Sequence, residues 1–197
     1  MQKRLIVLVF MFLLNLSQSS FAEFFDPNPQ GNFKESDYLM SVNRPIAADK
    51  LINDVIVFCT KKNDEPCLAE SYYYFGKLLL WRGADTDKWS KFRSYVEQDI
   101  TTDNIHQKSM DYFEKALGLA RKYNLYDMVS GIYIKVGILQ SLYFKDRTVA
   151  CESFDQSLDY HSMYIKANPN ANITLEKGFK SFEEYISQAK KEAGCLK

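Results

Sequence analysis

Residues 105–123, IHQKSMDYFEKALGLARKY, decide the fold. Tyr112, Phe113, Ala116, Leu117 and Ala120 recur there at steps of three and four, which places them on one face of an α-helix. Asn124 interrupts the pattern, and a second apolar series (Val129, Ile132, Tyr133, Val136, Gly137, Gln140) runs through 125–144. Lys145-Asp146 turns the chain into a helical stretch from Arg147 to about Lys166. The run 168–172 then breaks it, and Phe179, Phe182, Ile186 and Ala189 mark a last helix over 175–193. Upstream, Ala47, Ala48, Leu51, Ile52, Val55, Ile56 and Cys59 define a helix from Ile46. The polar run 61–66 makes a turn, and Leu68–Arg82 forms the next helix, ended by Gly83. In the polar and aromatic stretch 84–103, Trp89, Phe92 and Val96 line one side of a short helix. Residues 23–45 hold three prolines and no sustained period, so they read as an extended arm ahead of a single domain over 46–197. The expected fold is all-α, six or seven antiparallel helices joined by short turns.

The first 22 residues have a separate character. Lys3 and Arg4 precede an apolar run from Leu5 to Leu14, and Ser20-Phe21-Ala22 offers a small-residue cleavage site, the pattern of a secretory signal peptide. That run is too short to span a bilayer, and no cysteine precedes Cys59 to carry a lipid anchor. The expected mature chain begins at Glu23 with a net charge of −2, which points to neither nucleic acid nor an anionic membrane as a target. A short leader and a compact, lysine-rich chain fit a bacterial periplasmic protein. The sequon Asn172-Ile173-Thr174 matters only in a eukaryotic secretory route.

All four cysteines fall in the exported part, and an even number in an oxidising compartment argues for two disulfides. Of the three connectivities, helix lengths favour Cys59 with Cys67 and Cys151 with Cys195. The first pair flanks a turn, and the second meets at one end of two antiparallel helices of similar length. The rival reading, a metal site, lacks a CxxC pair, and only His106 and His161 are there to assist.

Ile132-Tyr133-Ile134-Lys135-Val136-Gly137, followed by Ala150 and by Phe154-Asp155-Gln156-Ser157-Leu158, resembles a tetratricopeptide repeat. An earlier copy is split: Tyr72-Tyr73-Tyr74-Phe75-Gly76 is similar to the family's first helix and Phe113-Glu114-Lys115-Ala116-Leu117 to its second, with an insertion between them. The resemblance implies a helical-hairpin array over about 68–169, capped by the final helix. It also implies a concave groove lined by the first helices of the repeats, which binds peptides or folded partners. The matching groove positions are Glu70, Tyr73 and Lys77 in the first repeat, and Ile134, Ile138 and Ser141 in the second. That second set is apolar, so either the N-terminal arm fills part of the groove or the groove is a hydrophobic landing site.

Aromatic and arginine side chains anchor protein interfaces, which adds Trp81, Trp89, Phe92 and Arg93 as partner-binding candidates. The plainer alternative is that Trp89 and Phe92 pack the insertion onto the bundle. No GxSxG, HExxH, phosphate loop or SxxK run is present. His106 and His161 read as boundary histidines, and Glu183-Glu184 and Asp85 with Asp87 as solvated carboxylates. The expectation is therefore a non-enzymatic periplasmic module, without cofactor or metal, that binds a protein. The specific expectation is an immunity protein that neutralises a periplasm-acting bacterial toxin, such as a type VI secretion-like effector. An adaptor of envelope or secretion machinery and a cell-wall enzyme with an unrecognised site are the alternatives.

Overall fold

The computed structural model describes residues 28–83, 94–171 and 178–196, and among them the chain is all-α, with no strand. Seven helices follow in order: α1 Pro29–Ser41, α2 Pro45–Lys62, α3 Glu65–Gly83, α4 Ile105–Lys122, α5 Tyr126–Leu139, α6 Arg147–Ala167 and α7 Phe182–Glu192. A π-helical turn, Gln140–Phe144, extends α5. Each helix packs on its neighbours in the chain, and α3 also touches α1 and α5. The molecule is thus a sequential array of helical hairpins in which odd-numbered helices share one face.

The turns explain the sequential packing. Asn43, Asn63 and Asn124 each adopt a left-handed backbone, at φ 61°, 53° and 54°, a conformation that asparagine tolerates better than most residues. At each the chain reverses with the same pair of bonds. Asn43 N and Arg44 N donate to Met40 O and Leu39 O, Asn63 N and Asp64 N to Thr60 O and Cys59 O, and Asn124 N and Leu125 N to Arg121 O and Ala120 O. These bonds satisfy carbonyls that a helix end leaves open. The next helix starts within a few residues: Pro45 opens α2, the Asp64 carboxylate accepts from Cys67 N at 3.0 Å to cap α3, and the Asp146 carboxylate accepts from Val149 N at 3.1 Å to cap α6.

Two boundaries correct the sequence reading. The expected extended arm over 23–45 contains α1. Of its prolines, Pro27 lies outside the described residues and the other two open helices: Pro29 occupies the first turn of α1, after Asn28 caps it by accepting from Gly31 N at 3.2 Å, and Pro45 stands at the start of α2. Phe33, Ser36 and Met40 then fall on a buried helical face, with Phe33 only 1% exposed over the Cys59–Cys67 end of α2 and α3. The last helix begins at Phe182 rather than 175. Gly178 takes φ 109°, and the Ser181 hydroxyl caps the helix by accepting from Glu184 N at 3.2 Å.

The core is organised twice in the same way. Gly76 of α3 lies under the Phe113 ring of α4, where an added Cβ would approach the ring to 2.8 Å. Gly137 of α5 lies under Phe154 of α6, where it would come to 2.7 Å. Residue for residue, Ala69, Gly76 and Leu78 of α3 correspond to Ser130, Gly137 and Leu139 of α5. Likewise Ser109, Phe113 and Ala116 of α4 correspond to Ala150, Phe154 and Ser157 of α6, and all twelve are buried. Where the first hairpin has Ala69 and Ala116, the second has two serines that satisfy each other. Ser130 Oγ donates to Ser157 O at 2.9 Å and Ser157 Oγ to Ser130 O at 3.0 Å.

The long connection between α3 and α4 is tied down at its exit. Asp49, fully buried in α2, accepts from Ser94 Oγ at 2.8 Å and from Tyr95 N at 2.5 Å. Burial raises its carboxyl above the usual range, against the lowering effect of these two donors and of the Arg82 charge.

Both disulfides have the expected pairing. Cys59–Cys67 joins the end of α2 to the start of α3 with Cα atoms 5.8 Å apart, and Cys151–Cys195 joins α6 to the chain after α7 at 5.6 Å. Otherwise α7 is held by Ile186 in the core, by Phe182 stacked 3.9 Å from the His161 ring, and by the 2.7 Å Lys190–Asp155 ion pair.

Gly76→Ala and Gly137→Ala should each lower unfolding stability by roughly 1–3 kcal/mol, because a Phe ring must move. Gly118→Ala, exposed within α4 with nothing near its Cβ, should raise it by about 0.5–1 kcal/mol. Urea denaturation separates the two directions. Replacing Cys151 and Cys195 together with serine opens a 44-residue loop and should cost about 2–4 kcal/mol in the same assay.

Candidate functional site

The face shared by the odd-numbered helices is where the sequence reading placed a groove, and the chain fills its first part itself. α1 lies along α3: Gln30 Nε2 donates to Glu70 Oε2 at 2.6 Å, the Phe33 ring stacks on Tyr74 at 4.5 Å, and Lys77 Nζ donates to both Asp37 oxygens at 2.8 and 3.0 Å. Lys77 also stands 4.5 Å above the Tyr74 ring. Burial pushes the Tyr74 phenol up to about 12, with Asp37 and Glu70 adding to the shift. Burial likewise raises the Glu70 carboxyl; the Gln30 bond opposes this and Asp127 adds to it. Tyr73 points the other way, toward α5, where a Cβ on Gly131 would lie 3.5 Å from its hydroxyl. Burial is the main cause that keeps its phenol protonated well above the usual tyrosine range. The N-terminal segment thus lies on the first set of positions, those of α3, in the form of a helix, while Ile134 and Ile138 of the apolar second set pack in the cluster with Ile186 of α7.

Among the described residues, two cavities lie open on this face. The first, about 470 Å³, lies among α1, α3 and α5, with Met40, Leu80, Trp81, Ile138 and Tyr143 as walls and Asp37, Lys77 and Lys135 as its charged lining. The second, about 320 Å³, lies among the end of α5, α6 and α7, with Leu142, Phe154, Tyr185 and Ala189 among its walls and Glu192 on its lining. Ile138 lines both.

The π-helical turn makes this division. Its wider turn sends Ser141 and Leu142 to the second cavity and Tyr143 to the first, and such insertions in α-helices gather at functional sites. Tyr143 is held by the His106 ring, stacked at 3.7 Å, and His106 in turn sits against Gly83.

Lys77, Trp81, Ile138 and Ser141 thus line the open cavities, whereas Glu70 is bonded to α1 and Tyr73 faces α5. Ile134 is covered, 7% exposed, in the cluster that α7 closes. Trp89, Phe92 and Arg93 lie outside the described residues. Sequence reasoning missed Met40, Leu80, Lys135 and Tyr143. Met40 had a signal, its helical spacing from Phe33, but Tyr143 depends on a π-turn that periodicity at 3.6 does not register.

Among the described residues no three His, Cys, Asp or Glu side chains gather in a metal-binding arrangement, and no helix is long and apolar enough to cross a membrane. Comparison of the chain with protein-family models, curated proteins and solved structures finds no match.

Burial lowers the pKa of both His106 and His161 below the ordinary 6.5; at His161 the nearby Glu183 partly offsets this. A base depressed in the folded state contributes stability that is present above its unfolded pKa and lost as pH falls through the folded value. The urea midpoint should therefore drop as pH falls below about 6.5. A variant carrying His106→Gln and His161→Gln should show a shallower drop.

Proposed function

We propose that this chain is an exported binding module, built on degenerate tetratricopeptide-like repeats, that neutralises a protein toxin acting in the periplasm. The observation that carries the reading is a pair of largely apolar cavities, both lined by Ile138, on the face of the odd-numbered helices. The paired Gly–Phe contacts support the repeat reading, and two disulfides fit an oxidising compartment. Apolar cavities rimmed by a few charges suit a site that takes side chains of a partner. Service as an adaptor of envelope machinery would use the same face.

The test is affinity capture from periplasm with the mature chain, followed by mass spectrometry. The expected result is one stoichiometric partner encoded beside this gene, whose toxicity the chain suppresses. Ile138→Glu should weaken that complex by about tenfold or more, equivalent to at least about 1.4 kcal/mol. Met163→Glu, on exposed surface of α6, should leave it unchanged. Recovery of envelope assembly proteins instead would favour the adaptor. Wall-degrading activity without any partner would replace both with an enzyme.

A further inference from the structure

The Tyr143 wall of the first cavity stands on a histidine. Its ring stacks on His106, at the start of α4, with centroids 3.7 Å apart and planes 22° from parallel. The other side of His106 abuts the end of α3, where an added Cβ on Gly83 would meet its Cε1 and come to 2.7 Å from its Nδ1, so a glycine is needed for the ring to lie there. That Nδ1 is buried and has no hydrogen-bond partner among the described residues. A neutral imidazole tolerates the position by keeping its proton on Nε2 and turning a bare lone pair inward. An imidazolium does not, because both of its nitrogens are donors, and a buried charged donor without an acceptor is strongly unfavourable.

The groups around it do not offset that charge. On α3 the neighbour of Gly83 is Arg82, itself a cation, with Asp49 as its electrostatic partner. On the π-turn the titratable group is the Tyr143 phenol. On α4, Lys108 is bonded to Glu97 and Asp99, and Asp103, just before the helix, is exposed. Burial is what lowers the His106 pKa below the ordinary 6.5, so the ring is neutral near pH 7 and takes a proton as the medium acidifies. His161 is a natural contrast: it too is stacked, 3.9 Å from Phe182, but the Glu183 carboxylate favours its charged form and it lines neither cavity.

We infer that His106 is a proton-operated latch on the first cavity. Neutral, it holds Tyr143 in place as a wall beside Trp81 and Ile138. Protonated, it leaves Gly83 for water, the stack on Tyr143 is broken, and the tyrosine is free to swing away from the cavity. The short π-turn that carries Tyr143 is the element that gives, since its backbone ladder is already irregular. The latch belongs to the cavity itself; its use in tuning capture and release of a partner rests on the partner reading above.

The chain has two tryptophans, and Trp81 lines the same cavity as Tyr143, so Trp89→Phe leaves a single emitter beside the latch. The experiment titrates the full mature chain with that substitution from about pH 7.5 to about pH 5, following Trp81 emission and its quenching by acrylamide, and the His106 ring by NMR. The expected result is one step, to longer wavelength and stronger quenching, whose midpoint matches the His106 titration while the far-ultraviolet helical spectrum is unchanged. Adding His106→Gln should abolish the step, and adding His161→Gln should leave it. The match of the two midpoints reads the latch even where His106→Gln does not fold. A step that survives in folded His106→Gln, or a His106 ring that titrates with no change at Trp81, overturns the inference. A partner captured through Ile138 with no step at Trp81 would sink the latch alone and leave the partner reading standing. A step with no partner captured at either pH would uphold the latch and count against that reading.

Discussion

The contact on which the array depends is the one between a glycine and a phenylalanine ring on the following helix. At Gly76 and at Gly137 the helix backbone has no side chain to hold its neighbour away, and Phe113 and Phe154 occupy the vacated space. A fully buried Phe contributes about 1.5–3 kcal/mol from apolar burial. The larger effect is geometric, because the ring fixes how close α3 and α4, or α5 and α6, can lie. With those distances set, side chains on the odd-numbered helices arrive on one face, and the open cavities are what the spacing of α3, α5 and α7 leaves between them.

The outer elements serve that arrangement in different ways. α1 is stapled to α3 by an ion pair, an amide–carboxylate bond and a ring stack, so it forms one wall of the first cavity. α7 has a single fully buried aliphatic side chain, Ile186, and depends on the Cys151–Cys195 bridge to stay against α5 and α6. One flank of the site is thus built from packing, and the other from packing with a covalent tie.

Much of the helix order was legible because long apolar faces repeat at three and four, as in 105–123, and because asparagine marks three of the turns. Both disulfides followed from the same helix lengths. What escaped has physical reasons. α1 was hidden by prolines that stand where a helix can accept them, and by serine. Ser36, Ser71, Ser109 and Ser157 are fully buried, each hydroxyl donating to a main-chain carbonyl, so a residue counted as polar fills a core position without an unmet hydrogen bond. Of the groove candidates, Lys77, Trp81, Ile138 and Ser141 reach the open cavities, while Glu70 meets α1, Tyr73 faces α5 and Ile134 packs in the cluster with α7, contacts between elements far apart in sequence that periodicity does not register. The cavities themselves depend on a π-turn whose extra residue leaves no compositional trace.

The neighbour-upon-neighbour packing set by the asparagine turns has a consequence for how the chain is made. A polypeptide emerging N-terminus first, from a ribosome or through a narrow pore, presents α1 and α2, then α3, each finding its partner already exposed and close by. Loop-closure cost stays low, and the structure can grow in the direction of synthesis. Two pauses interrupt that growth, where α4 must return to α3 and where α7 must return to α6. The second return brings Cys195 to Cys151, so oxidation of this pair ties α7 to a helix that has already packed on the growing array.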